Sequence, residues 1–187
     1  EVVKVLGNIV NIDQMTKETQ RLKTQTRTDS MTGLLNKNTF IADVASYLQE
    51  GEQTNFCMVF FDLDHFKQVN DRLGHLVGDT AIKEAAQKLQ LNFANVDFVS
   101  RFGGDEFCIF VKNIPIETMQ DKLEYLRQKM YAEYHKLDQT VKVTASIGAV
   151  YYHRPEKNVQ MILDEADKAA YQAKCDGRNR VVFREIM

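Results

Sequence analysis

The sequence predicts an α+β sandwich, with a central, mostly antiparallel sheet flanked by helices. Apolar runs of strand length alternate along the chain with stretches of helical spacing. Two of the strands are joined by little more than a Gly-Gly pair, which marks a hairpin and hence antiparallel pairing. The chain has 187 residues, 44% of them hydrophobic and 27% charged, so it can bury one sizeable core.

Residues 1–12 ("EVVKVLGNIVNI") alternate loosely and are rich in Val and Ile. They read as a strand, the last of an upstream unit. Residues 13–28 are polar and lack Gly and Pro, so they read as a linker helix. Met15 and Leu22 alone make a weak seam for a coiled coil. The main domain is expected over 29–187. Within it the spacing predicts a helix at about 37–49 and a strand at 55–62. Two helical stretches follow, about 65–73 and 78–93, then hairpin strands at 97–102 and 106–112. A long helix is expected at 116–137, a strand at 141–151, a helix at 158–175 and a last strand at 180–184.

Bulk properties exclude several classes. The net charge of −2 gives no overall basic bias toward nucleic acid. No run of about 18 apolar residues is present, so no membrane contact is expected of this stretch. Cys57, Cys108 and Cys175 are odd in number and form no CxxC pair. They read as buried, reduced thiols of a cytoplasmic protein, not as a zinc site. The opening lacks a signal-peptide pattern, and the whole protein could still be membrane-anchored.

Acids cluster at two strand ends. "CMVFFDLD" is apolar until Asp62 and Asp64. An acid that closes a buried strand is a common metal ligand or catalytic group, the structural alternative being a helix N-cap, above all for Asp64. In "RFGGDEF" the glycines allow a tight turn and close approach of a ligand to the backbone, and Asp105 and Glu106 follow at once. A plain hairpin with a solvated acidic tip is the alternative. Carboxylates from neighbouring strands make a hard oxygen site suited to Mg²⁺ or Mn²⁺, with nucleotide phosphates completing the coordination.

Cations and polar groups complete the pattern. Lys67 lies near a helix start, where backbone N–H groups can hold phosphate oxygens. Lys174 and Arg178 flank a glycine that ends a helix, where they could equally be ordinary dipole-stabilising cations. Asn70 and Asp79 match the donor-rich edge of guanine, although Asp79 could instead cap the following helix. His75 reads as structural, and no Ser-His-Asp or Cys-His arrangement is apparent.

These residues carry a resemblance. "RFGGDEF" together with "FFDLDHFKQVNDRLGHLVGD", "DSMTGLLNKNTF", "SIGAV" and "DEADKAAYQAKCDGRNRV" resembles the GGDEF-domain diguanylate cyclases over residues 29–184. The resemblance implies a fold like that of nucleotidyl cyclases and polymerase palm domains. It implies condensation of two GTP into cyclic di-GMP and two pyrophosphates, at the interface of a homodimer that is transient in this fragment. Two Mg²⁺ or Mn²⁺ ions per site would be held by Asp62, the carbonyl of Leu63, Asp105 and Glu106. Asp105 would also be the candidate base. Lys67, Lys174 and Arg178 would hold the triphosphate, helped by the backbone at His65 and Phe66, while Asn70 and Asp79 would read guanine. The family's inhibitory product site, Arg-x-x-Asp, is degenerate here: Asp97 is present, but Ala94 stands in place of Arg. The alternative implied is a non-catalytic module that binds GTP or cyclic di-GMP. The first residues resemble the exit strand of a PAS-type sensory domain.

Overall fold

A computed structural model describes residues 27–50, 55–93, 98–154 and 156–187. The expected strand at 1–12, most of the linker helix, and both Ala94 and Asp97 lie outside the described residues.

The described elements are β1 (Leu35–Asn36), α1 (Lys37–Gln49), β2 (Phe56–Asp64), α2 (Phe66–Leu73), α3 (His75–Phe93), β3 (Phe98–Gly103) and β4 (Glu106–Lys112). There follow α4 (Ile116–Met130), β5 (Ala132–Lys136), β6 (Gln139–Tyr152), α5 (Val159–Cys175) and β7 (Arg180–Ile186). The sheet runs β1-β3-β4-β2-β6-β5, with β7 also paired to β6. The β3–β4, β4–β2, β2–β6 and β6–β5 ladders are antiparallel, and β1–β3 and β6–β7 are parallel.

β2 is the centre, buried at all nine positions. Its alternation sorts the core into two halves. Cys57, Val59, Phe61 and Leu63 pack with residues of α2, α3 and α4, among them Val69, Leu89 and Leu123. Phe56, Met58 and Phe60 pack with Phe40 and Val44 of α1 and with Ile162 and Ala166 of α5. Asp62 and Asp64 continue this second parity, so the strand delivers both acids toward the α5 side of the sheet. α5 sits unusually close to it. A Cβ added at Gly148 of β6 would come within 2.0 Å of the Ala170 nitrogen and 2.4 Å of the Ala166 carbonyl oxygen.

Three local expectations need correction. The helix expected at 116–137 ends at Met130, and 132–136 is a strand paired with β6. The acidic and apolar residues of "AEYHK" suit a helix, but pairing with β6 overrides that weak local preference. The second helix starts at His75 and not 78, so Asp79 lies inside α3 and caps nothing. Of the cysteines, Cys57 and Cys108 are buried, but Cys175 is exposed at the end of α5.

Candidate active site

Three elements converge where β2 ends. The register opposes Asp62 to Glu106 across the β2–β4 ladder. The Leu63 N–H donates to the Asp105 carbonyl at 3.3 Å, which ties the hairpin to the strand end. α5 brings Lys174, whose Nζ lies 2.7 Å from Asp62 Oδ2. A cleft of about 390 Å³ results, lined by Asp62, Leu63, Asp64, His65, Phe66, Lys67, Asp105, Lys174 and Arg178, along with Gln68 and Asp71. Nine of the residues singled out from sequence thus share one cleft.

At the hairpin tip Gly104 has φ +53°, a value glycine adopts without strain. A Cβ at Gly103 or Gly104 would meet no atom within 4 Å. Packing within this domain therefore does not require glycine there, and the face is open to a ligand or a second domain.

The acids crowd one another. Burial raises the proton affinity of Asp62, with the charges of Asp105 and Asp64 adding to it and Lys174 opposing it. Burial likewise raises Asp105, with Glu106 adding to it. Glu106 is raised by burial and then by the charge of Asp62. Carboxylates gathered at one point around a single lysine favour a further cation. Among the described residues, no group of three acid, His or Cys side chains is already arranged to hold a metal ion.

Asp64 has a different task from its neighbour. It is 2% exposed and does not cap α2, whose N-cap is His65 with no side-chain bond. Instead it accepts from the hydroxyls of Thr144 and Ser146, each at 2.7 Å, and from the Asn179 N–H at 3.0 Å. Both its oxygens are engaged, so it is a structural acid. Lys67 is exposed on the first turn of α2, and it lines the cleft together with His65 and Phe66 at the start of that helix. Asn70 and Asp79 lie to one side, on α2 and α3. Gly78 makes room there, since a Cβ on it would stand 2.0 Å from Asn70 Oδ1.

Arg101 and Asp29 received no role from the sequence, yet they brace the hairpin. Arg101 donates to the Gly104 carbonyl through Nε (3.0 Å) and Nη2 (2.8 Å). Its Nη1 reaches both Asp29 oxygens, at 3.2 and 3.4 Å. Burial opposes ionisation of Asp29, but hydrogen bonds from Thr32 and Arg101 outweigh it and hold the carboxyl below its usual range. Both residues sit inside quoted motifs, which was the one available signal. Their separation of 72 positions hid the pairing.

Comparison with known proteins follows the same lines. The family profile described as "Diguanylate cyclase, GGDEF domain" matches residues 26–180. The probable diguanylate cyclase DgcT of Escherichia coli (strain K12) is 33% identical over 162 residues, covering 85% of this chain and 36% of that protein. Diguanylate cyclase A of Treponema denticola is 30% identical over 185 residues, covering 96% of this chain and 50% of that protein. This chain thus spans about half or less of the length of these relatives. The crystal structure of the GGDEF domain of DgcB from Caulobacter crescentus, in complex with c-di-GMP, superposes with a TM-score of 0.76 at 28% identity. That match covers 85% of this chain and 96% of the other. With the family profile over residues 26–180 and the acid-tipped strand and hairpin brought together as described, this chain belongs to the GGDEF-domain family of diguanylate cyclases.

Proposed function

We propose that this chain condenses two GTP into cyclic di-GMP with release of two pyrophosphates, each domain contributing one bound GTP to a shared site. The observation that carries the reading is the convergence of Asp62, Asp105 and Lys174 with the start of α2 in one cleft.

Members of this family generally use divalent metal ions. In this chain Asp62, the Leu63 carbonyl, Asp105 and Glu106 are the groups that would hold them, two Mg²⁺ or Mn²⁺ per site. Such ions supply charge neutralisation at the leaving pyrophosphate and acidify the attacking hydroxyl. Lys174 now neutralises Asp62. A cation on the carboxylates would free it for the triphosphate, which Lys67 and Arg178 would hold as well. The N–H groups at His65 and Phe66 turn toward phosphate oxygens, helped by the positive end of α2. Asp105 takes the proton from the 3′-hydroxyl. Asn70 offers the guanine edge both a donor and an acceptor, and the Asp79 carboxylate accepts from its N1–H and 2-amino group.

A single domain holds one nucleotide with its 3′-hydroxyl and α-phosphate facing outward. Two chains facing each other put each hydroxyl in line with the other's phosphorus, so dimerisation assembles the site. The open backbone at Gly103 and Gly104 leaves space for that approach. With Ala94 in place of the family's Arg, feedback through the Arg-x-x-Asp site is absent. Loss of a two-pronged charged contact weakens product binding by about two orders of magnitude.

The test is direct. The chain is incubated with GTP and Mg²⁺, and the products are resolved by chromatography. Cyclic di-GMP with two equivalents of pyrophosphate is expected, ATP is a poor substrate, and Asp105→Ala gives none. Turnover by Asp105→Ala at the unmodified rate, or binding of GTP without turnover by the unmodified chain, contradicts the reading.

A further inference from the structure

The turn that follows α5 is held in a backbone conformation its residues do not favour on their own. Gly177, Arg178 and Asn179 all have positive φ, at 112°, 65° and 47°. Glycine adopts such values freely and asparagine tolerates them, but arginine does so rarely. Successive left-handed residues persist only where their surroundings impose them.

The end of α5 holds part of the turn, its Ala173 carbonyl accepting the Arg178 N–H at 2.9 Å, and the rest is imposed from the sheet and from α4. From the sheet, buried Asp64 accepts the Asn179 N–H at 3.0 Å, and its Oδ1 lies 4.0 Å from Arg178 Nε. Asp64 is fixed in turn by the Thr144 and Ser146 hydroxyls of β6. From α4, Arg127 donates to the Asn179 carbonyl at 3.3 Å and to Asn179 Oδ1 at 2.7 Å. Glu124, one turn back on α4, accepts from Arg127 Nε at 2.8 Å and aims it. Asn179 is thus gripped at its N–H, its carbonyl and its side chain, and Arg178 is left projecting beside the cleft.

We propose that Asp64 and Arg127 are positioning residues that lock the 177–179 turn so that Arg178 meets the triphosphate. Neither touches substrate. Asp64 acts through the turn's backbone and through its ion pair with Arg178, and Arg127 acts from a helix outside the cleft. The inference rests on the phosphate-binding role proposed above for Arg178.

The probe is a GTP analogue with a methylene between the α- and β-phosphorus atoms, titrated calorimetrically into the 187-residue chain with Mg²⁺. Arg178→Ala is expected to weaken binding about tenfold or more, and Arg127→Ala about three- to tenfold, since hydrogen bonds to charged groups are the stronger kind. In an Arg178→Ala background, Arg127→Ala adds less than about twofold, because coupled residues are not additive. Arg127→Lys restores part of the affinity through one donor to Asn179. Asp64→Asn behaves like Arg127→Ala or more severely. If it fails to fold, the partly exposed Arg127 carries the test, its variants keeping their unfolding midpoint within a few degrees. Wild-type affinity in Arg127→Ala, or equal losses with and without Arg178, overturns this inference while leaving the site assignment intact. Wild-type affinity in Arg178→Ala overturns the phosphate role itself, and the positioning role with it.

Discussion

Replacing Gly78 by Ala should damage GTP recognition while leaving the fold nearly untouched. A Cβ at this position would lie 2.0 Å from Asn70 Oδ1, 3.1 Å from Asn70 Cγ and 3.3 Å from Phe66 Cζ. An ordinary non-bonded approach is about 3.5 Å, so the amide oxygen must retreat by roughly 1.5 Å. The atom displaced is the far end of a side chain, which can rotate away cheaply. Alanine also gains up to about 1 kcal/mol over glycine inside a helix. Stability should therefore change little. A hydrogen bond with an optimum near 2.9 Å does not survive such a shift. Leaving a guanine donor unpaired costs about 1–3 kcal/mol, which is roughly five- to 150-fold in affinity. The assay compares KM for GTP and the thermal midpoint in Gly78→Ala, Asn70→Ala and the double variant. The expected result is a raised KM in each single variant and no further rise in the double. A wild-type KM in Gly78→Ala would refute the role given to Asn70.

Arg101→Ala should loosen the hairpin that presents Asp105, lowering kcat by about tenfold or more with a smaller change in KM, because the lost bonds hold the Gly104 carbonyl and not the substrate. Steady-state kinetics reads that split. Gly148→Ala should destabilise by about 3 kcal/mol or more or prevent folding, since the added carbon meets the α5 backbone and not a movable side chain; chemical denaturation reads this. Asp105→Asn should abolish turnover yet raise the unfolding midpoint of the metal-free chain by about 1–3 °C, a figure discounted for partial exposure. The sign follows from the raised folded-state proton affinity of Asp62, Asp105 and Glu106. Groups raised in this way favour the folded state at low pH, and that contribution is lost as pH rises through their folded-state pKa values. Calorimetry in a chelator at pH 7 should show the gain, which should shrink at pH 4.

Much of the architecture was legible because β2 is apolar on both faces and the helices carry strong periodicity. Phe40, Val44 and Leu48 mark α1, and Val159, Ile162 and Ala166 mark α5. The cleft was legible because its residues fall in compact motifs at strand and helix ends. What escaped was long-range. "AEYHK" pairs with β6 for reasons of neighbourhood and not propensity. Asp64 read equally well as a cap, because its partners Thr144, Ser146 and Asn179 lie 80 to 115 positions away. Arg101 and Asp29 are joined only once β1 lies beside β3. Local pattern identifies which groups can do chemistry, and the sheet register decides which groups hold them in place.

The central claim is that two domains share one active site. It is tested most directly by the initial rate of cyclic di-GMP formation from saturating GTP and Mg²⁺, measured across a wide range of protein concentrations and paired with sedimentation to establish the oligomeric state. The account predicts specific activity that rises with protein concentration until dimers dominate, with two pyrophosphates released per cyclic dinucleotide throughout. A concentration-independent specific activity from a chain that sediments as a monomer would contradict it.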